Sequence, residues 1–144
     1  MNVHFGSEKW HQAAAFYVRM QVFVLERGIR LTEEFDMDDH DQTNYVVIYD
    51  ENKPVATGRY KQMDAETIRP GRIAVLKDYR NRGLGQQIIE ELEKAGLERG
   101  AKRSIIHGEL TAVTFYEKLG YRKCSEEYLE DSVPCVTLEK QFVQ

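Results

Sequence analysis

An apolar run, Ile73-Ala74-Val75-Leu76, is followed by Arg80-Asn81-Arg82-Gly83-Leu84-Gly85, and then by Leu84, Ile88 and Leu92 at helical spacing. This order predicts a strand, a tight loop and an amphipathic helix. Glycine adopts backbone angles closed to other residues and lets a ligand approach the main chain. The first amides of a helix have no acceptor within the helix. Together with the helix dipole they form a ready site for phosphate. Arg80 and Arg82 lie at this positive end, where cations are disfavoured, and a bound anion would resolve the conflict. A plain strand-helix connection with a solvated basic rim fits the same residues, so the loop alone leaves both readings open.

The chain has 144 residues, and one domain over 1–144 is expected. At this size roughly 68–70% of the unfolded surface is buried on folding, so no metal or disulfide is needed to hold a core. The net charge of −4 argues against a general nucleic-acid binder, whose affinity comes from many Lys and Arg contacts to phosphate. Cys124 and Cys135 form neither a disulfide framework nor a CxxC motif. We read them as reduced, in a cytoplasmic protein. The first residues lack a basic segment leading into an apolar one, so no signal peptide is expected. No run of 18 apolar residues occurs, and no membrane partner is expected.

No repeat, low-complexity segment or linker divides the chain. Residues 7–25 read as a helix capped by Ser7, with Trp10, Ala13, Ala14, Tyr17, Val18 and Leu25 as its apolar face. Residues 27–43 are polar and acidic, with room for one helical turn. Residues 45–49 form a strand, 50–53 a turn and 55–61 the partner strand. Pro70-Gly71 is expected to break the chain before a strand over 72–76. The helix after the glycine loop ends near Gly100. A strand over 104–107 and a short helix from Thr111, its cap, to Leu119 follow. Two strands complete the chain from Tyr121 to Gln144. The sum is a mixed α/β sheet with helices on its faces.

Four further stretches, beside Arg80-x-x-Gly83-x-Gly85, belong to one known pattern. Phe115-Tyr116-Glu117-Lys118-Leu119-Gly120-Tyr121 looks like a helix leading into final strands. Val22-Phe23-Val24-Leu25-Glu26-Arg27-Gly28, Glu34-Phe35-Asp36 and Ala56-Thr57-Gly58-Arg59 are similar to a bacterial subgroup. Over nearly its whole length the chain resembles the GNAT superfamily of acetyl-CoA-dependent N-acetyltransferases. The resemblance implies an α/β (α+β) fold with a mixed, mostly antiparallel central sheet flanked by helices on both faces. It also implies acetyl-CoA as co-substrate, no metal, and a small-molecule or peptide amine as acceptor, and it leaves a homodimer open. Two positions depart from the subgroup. Gly108-Glu109 stands where Ala-Gln is usual after the residue at His107, and Cys135 follows Pro134 where a His is usual.

The resemblance places the pyrophosphate at Arg80 and on the amides of Arg82, Gly83, Leu84 and Gly85, and the pantetheine arm along Ile73-Ala74-Val75. Backbone N–H groups there would also polarise the thioester carbonyl. Tyr116 is the general-acid candidate, since a phenol with a pKa near 10 holds its proton at neutral pH. On a helix it is turned about 100° from Phe115, which shares an expected core face with Ala112 and Leu119. A boundary tyrosine with its hydroxyl in water is the bland alternative. For the base, His107 and Glu109 at the end of a strand stand beside Glu26, Glu33 and Glu34, or beside solvent alone. Asp36-Met37-Asp38-Asp39-His40-Asp41 fails as a calcium loop, lacking Gly at its sixth position and Glu at its twelfth. It reads as a solvated acidic loop that would favour a cationic acceptor. Cys135 reads as a buried strand cysteine rather than a nucleophile.

Two other readings compete. A non-catalytic acyl-CoA binding or sensing domain would keep the loop and lose the acceptor chemistry. A dinucleotide or nucleoside-triphosphate enzyme lacks support, because Ile88 occupies the third glycine position and no GK[ST] occurs.

Overall fold

A computed structural model describes residues 1–142 and resolves them into two compact units. The first comprises Met1–Tyr60 and Arg72–Ala95, the second Lys61–Gly71 and the chain from Gly96 onward. Helices and a mostly antiparallel eight-stranded set of pairings give the mixed α/β class.

In the first unit, β1 (Asn2–Gly6) pairs antiparallel with β2 (Tyr45–Asp50), from Asn2↔Tyr49 to Gly6↔Tyr45. On its other side β2 pairs antiparallel with β3 (Lys53–Asp64), with a register shift between Ile48 and Tyr49. The run Tyr45-Val46-Val47-Ile48 is apolar without alternation, and such a strand must be covered on both faces. Successive side chains point to opposite faces. Val46 and Ile48 join a core with Val18, Val22, Val55, Ile88 and Leu92, while Tyr45 and Val47 join Ala15. Each fully buried aliphatic side chain contributes roughly 1.5–3 kcal/mol. α3 (Leu84–Glu98) lies so close over β3 that a Cβ on Gly58 would stand 2.5 Å from Ile88 Cγ2.

The first helix corrects the sequence in three ways. α1 spans Lys9–Arg19, Glu8 rather than Ser7 sits at its cap position, and no side chain caps it. The chain then winds into a π-helical turn, Met20–Glu26, in which Arg27 N donates to Val22 O across five residues. The buried face is not the expected one. Trp10 is 60% and Leu25 66% exposed, and Tyr17 is exposed too, whereas His11, Gln12 and Arg19 are buried with Ala15 and Val18. Burial of polar groups is tolerated when each finds a partner. The His11 ring nitrogens bond Tyr49 Oη at 2.7 Å and Tyr45 O at 2.8 Å. Gln12 donates to the carbonyls of His40, Asp41 and Thr43. α2 (Leu31–Glu34) is the single turn expected in the acidic segment.

Pro70-Gly71 does not break the chain. β4 runs Thr67–Val75 straight through it, and the irregularity falls at Arg72, which is left-handed at φ 52°. In the second unit β4 pairs in parallel with β5 (Arg103–Glu109), through Thr67↔Arg103 and Ile68↔Ser104. β5 pairs antiparallel with β8 (Val133–Gln141), from Arg103↔Gln141 to Glu109↔Cys135. Three strands rather than two follow the last helix, because β6 (Arg122–Lys123) and β7 (Tyr128–Glu130) both pair with β8. The expected strand end at Gln144 lies outside the described residues. Thr111 caps nothing. It sits in a 3-10 turn, Leu110–Ala112, that leads into α4 (Val113–Lys118). Of the expected core face Ala112 and Leu119 are partly buried, but Phe115 is 40% exposed and Tyr116 takes the more buried place.

Candidate active site

The phosphate-loop candidate belongs wholly to the first unit. β4 ends with Ala74 buried and with Ile73 and Val75 packed against the core. Leu76 N donates to Val55 O at 2.9 Å, and a 3-10 turn, Lys77–Tyr79, carries the chain onward. Asn81 at φ 64° and Gly83 at φ 78° then turn it left-handed into α3. Leu84 is buried in the core and fixes where the helix starts. The first ladder bond runs from Gln87 N to Gly83 O at 3.1 Å, so the amides just after Gly83 begin without helical acceptors. Nothing lies within 4 Å of where a Cβ on Gly83 would sit. Its left-handed conformation makes glycine the residue here, and the space above it is open.

Both loop arginines have protein partners. The Arg80 guanidinium meets Glu26 two-pronged, with Nη1 to Oε2 at 2.7 Å and Nη2 to Oε1 at 2.8 Å, and Nε donates to Val75 O at 3.0 Å. Arg80 thereby holds the Glu26 carboxyl below the usual range. Arg82 lies over the Tyr79 ring at 4.9 Å and donates to Asp78 O at 3.1 Å. The Tyr79 hydroxyl in turn donates to Asp50 at 2.8 Å. The basic rim is therefore tied to the protein rather than freely solvated.

Within the acidic stretch Met37, Asp38, His40 and Asp41 are exposed as its composition suggests, but the Asp39 side chain is buried and joins Asp36 and the neighbouring Glu34 in a network of arginines. Arg19 Nε donates to Glu34 Oε2 at 2.9 Å, and its Nη1 and Nη2 donate to Asp39 at 2.6 and 2.9 Å. Arg59 reaches Asp39 at 2.5 Å and Asp36 at 3.1 Å. Arg72 donates to Glu34 O at 3.3 Å and to Asp36 at 3.1 Å, and the Tyr45 hydroxyl donates to Asp39 at 2.6 Å. Burial alone would raise the Asp39 pKa, yet its donors hold it far below the carboxylate range, while burial and Asp39 push Tyr45 up. No cluster suited to a metal occurs among the described residues.

The acid and base candidates belong to the second unit. Tyr116 on α4 packs against Phe115 and Tyr121, with ring centroids 5.2 and 6.1 Å away. A Cβ on Gly108 would stand 3.2 Å from the Tyr116 ring and 2.8 Å from Leu138 Cδ1. Glycine at 108 therefore lets the ring seat against β5. Burial, and then the negative charge of Glu109, raise the phenol's pKa. His107 Nδ1 lies 3.1 Å from Glu130 Oε1. An ionised carboxylate only accepts, so Nδ1 is the donor in this contact. Cys135 is buried and its thiol raised by burial, as expected of a strand cysteine. Within this unit Glu109 is brought to Tyr116, whereas His107 is brought to Glu130.

Residues 41–123 match the profile described as an acetyltransferase (GNAT) domain. A Bacillus subtilis protein named as a candidate acetyltransferase is 39% identical over 98% of this chain and 97% of its own length. This chain belongs to the GNAT acetyltransferase family. A crystal structure of a Lactobacillus plantarum protein named as a candidate N-acetyltransferase superposes with TM-score 0.95 at 39% identity, covering 99% and 98% of the two chains. A GNAT acetyltransferase from Elizabethkingia anophelis, solved with acetyl-CoA bound, shares the fold at 18% identity and TM-score 0.60, over 69% and 76% of the two chains.

As a GNAT member the chain is an acyltransferase. Sequence reasoning missed Glu26 as the partner of Arg80 and Glu130 as the partner of His107. Neither pairing leaves a local signal, since the partners are 54 and 23 residues apart.

Proposed function

We propose that this GNAT protein moves the acetyl group of acetyl-CoA to a primary amine of a small molecule or peptide. The observation that carries the reading is the left-handed Gly83, open above its Cα, at the head of a helix pinned by Leu84. The amides of Arg82, Gly83, Leu84 and Gly85 receive the pyrophosphate in this reading, and Arg80 frames the loop. Ile73-Ala74-Val75 offers main-chain pairing to the pantetheine arm. Acetyl-CoA supplies an activated acyl thioester.

The amine nitrogen forms a bond to the acyl carbon and the carbon–sulfur bond breaks. Tyr116 Oη gives its proton to the departing sulfur. His107 accepts the amine proton on Nε2, with Glu130 holding the ring by Nδ1. Glu109 tightens the hold of Tyr116 on its proton, so the phenol stays protonated until the thiolate forms. The free Cys124 and Cys135 suit a reducing, cytoplasmic setting. Among the described residues no helix is long and apolar enough to cross a membrane.

A thiol-release assay with acetyl-CoA against a panel of amines, amino acids and peptides tests the reading. Turnover with at least one amine is expected. Acetyl-CoA binding without turnover on any acceptor would favour an acyl-CoA sensor instead.

A further inference from the structure

Arg80 stands at the positive end of α3, where an unpaired cation is unfavourable. A carboxylate from another segment offsets it. Glu26 meets both Nη atoms of Arg80, at 2.7 and 2.8 Å. Glu26 is also the last residue of the π-helical turn Met20–Glu26. The next three amides close that turn, Arg27 N onto Val22 O, Gly28 N onto Val24 O and Ile29 N onto Phe23 O. π-Helical turns are rare and concentrate at functional sites. A guanidinium fork takes a carboxylate or a phosphate by the same two-pronged geometry. Glu26 thus presents to Arg80 the chemistry that a phosphate ligand would bring.

We propose that Glu26 is a built-in anion that holds Arg80 until a diphosphate ligand replaces it, and that this exchange releases the π-helical turn. The proposal rests on the reading of the loop as the phosphate site of acetyl-CoA. Lys77 and Arg27 lie near enough to influence Glu26, so the displaced carboxylate has cations to move toward. Gln21, Leu25 and Glu26 of the turn also line a cavity of about 380 Å³, together with Tyr17 of α1 and with Lys77 and Tyr79 ahead of the loop. Occupancy of the loop is therefore transmitted to this cavity through Glu26. Both side chains of the pair are more than a third exposed, at 37% and 38%. An exposed pair is weak, so the exchange is a several-fold effect and reversible.

Calorimetric titration of coenzyme A into wild type, Glu26→Gln, Arg80→Gln and the double variant tests the exchange, with pantetheine as the ligand that lacks the diphosphate. Glu26→Gln should bind coenzyme A about 2- to 5-fold more tightly, matching the loss of one exposed competing pair. Arg80→Gln should bind it more weakly, and the double variant should match Arg80→Gln. Pantetheine affinity should be alike in all four proteins. Amide exchange in residues 22–29 should quicken when coenzyme A binds wild type, and should already be fast in unliganded Glu26→Gln. Unchanged or weaker coenzyme A binding in Glu26→Gln, or tightening that persists without Arg80, would overturn the exchange while leaving the phosphate site intact. Failure of wild type to bind coenzyme A would overturn both. Glu26→Asp, which keeps the charge but shortens its reach, should fall between wild type and Glu26→Gln, and its exchange rates give a second measure.

Discussion

Neutralising Asp39 should destabilise the first unit far more than neutralising the exposed Asp41. Its carboxylate accepts from Arg19 at 2.6 and 2.9 Å, from Arg59 at 2.5 Å and from Tyr45 at 2.6 Å. The Arg19 side chain is 0% exposed and that of Asp39 4%. Asp39→Asn keeps the shape but presents an amide to two guanidinium groups. Removing one partner of a buried pair costs about 3–5 kcal/mol. Glu34 and Asp36 still face the arginines, so the lower end applies, about 3 kcal/mol. That is a large part of a typical stability of about 5–15 kcal/mol. It corresponds to a Tm drop of roughly 10 °C at about 3 °C per kcal/mol. The folded pKa of Asp39 is depressed. Its contribution is therefore present above the unfolded value, about 3.9, and is lost as pH falls below it. Urea unfolding followed by circular dichroism at pH 7 and near pH 3 measures both effects, and the gap between wild type and variant should narrow in acid. Asp41→Asn is the control. Its exposed pair with Lys9 should be worth less than about 0.5 kcal/mol. A loss below about 1 kcal/mol for Asp39→Asn at pH 7, or a gap as wide near pH 3 as at pH 7, would refute the reasoning.

Gly58→Ala would place a methyl 2.5 Å from Ile88 Cγ2; overpacking of this kind costs about 1–3 kcal/mol, and thermal unfolding should show it, whereas an unchanged Tm would mean that α3 moves aside freely. Tyr116→Phe should leave coenzyme A affinity near wild type and lower turnover by at least about tenfold, measured by titration and thiol release on the same folded protein. Equal turnover would make solvent the proton donor. Glu130→Ala removes the acceptor that orients the His107 ring, so turnover should fall and its pH dependence should shift; an unmoved pH profile would take His107 out of the proton path.

Elements whose apolar residues face one way were legible in the sequence. The run Tyr45-Val46-Val47-Ile48 declared a strand covered on both faces. Leu84, Ile88 and Leu92 declared the buried stripe of α3, and Gly100, left-handed at φ 96°, marks its end. α1 was misread because its buried face is polar. His11, Gln12 and Arg19 are satisfied by groups 15 to 38 residues away, and apolar periodicity carries no trace of such partners. Pro70-Gly71 resembled a break because turn chemistry is local, while strand pairing is not. The strand-loop-helix junction at Arg80–Gly85 was legible because its glycines and the apolar stripe of its helix lie within one short segment. The partners of its arginine and of His107 come from distant segments, so the site's electrostatics had to come from the structure.

The central claim, that the Arg80–Gly85 junction holds the diphosphate of acetyl-CoA, is tested most directly by calorimetric titration of coenzyme A into wild type and folded Gly83→Val. Valine at φ 78° is strained by roughly 1–2 kcal/mol, and its side chain fills the open space above the loop. Circular dichroism and thermal unfolding establish that the variant is folded. The account predicts micromolar-class binding to wild type and at least about a tenfold loss in Gly83→Val, worth about 1.4 kcal/mol. Wild-type affinity in the folded variant would contradict it.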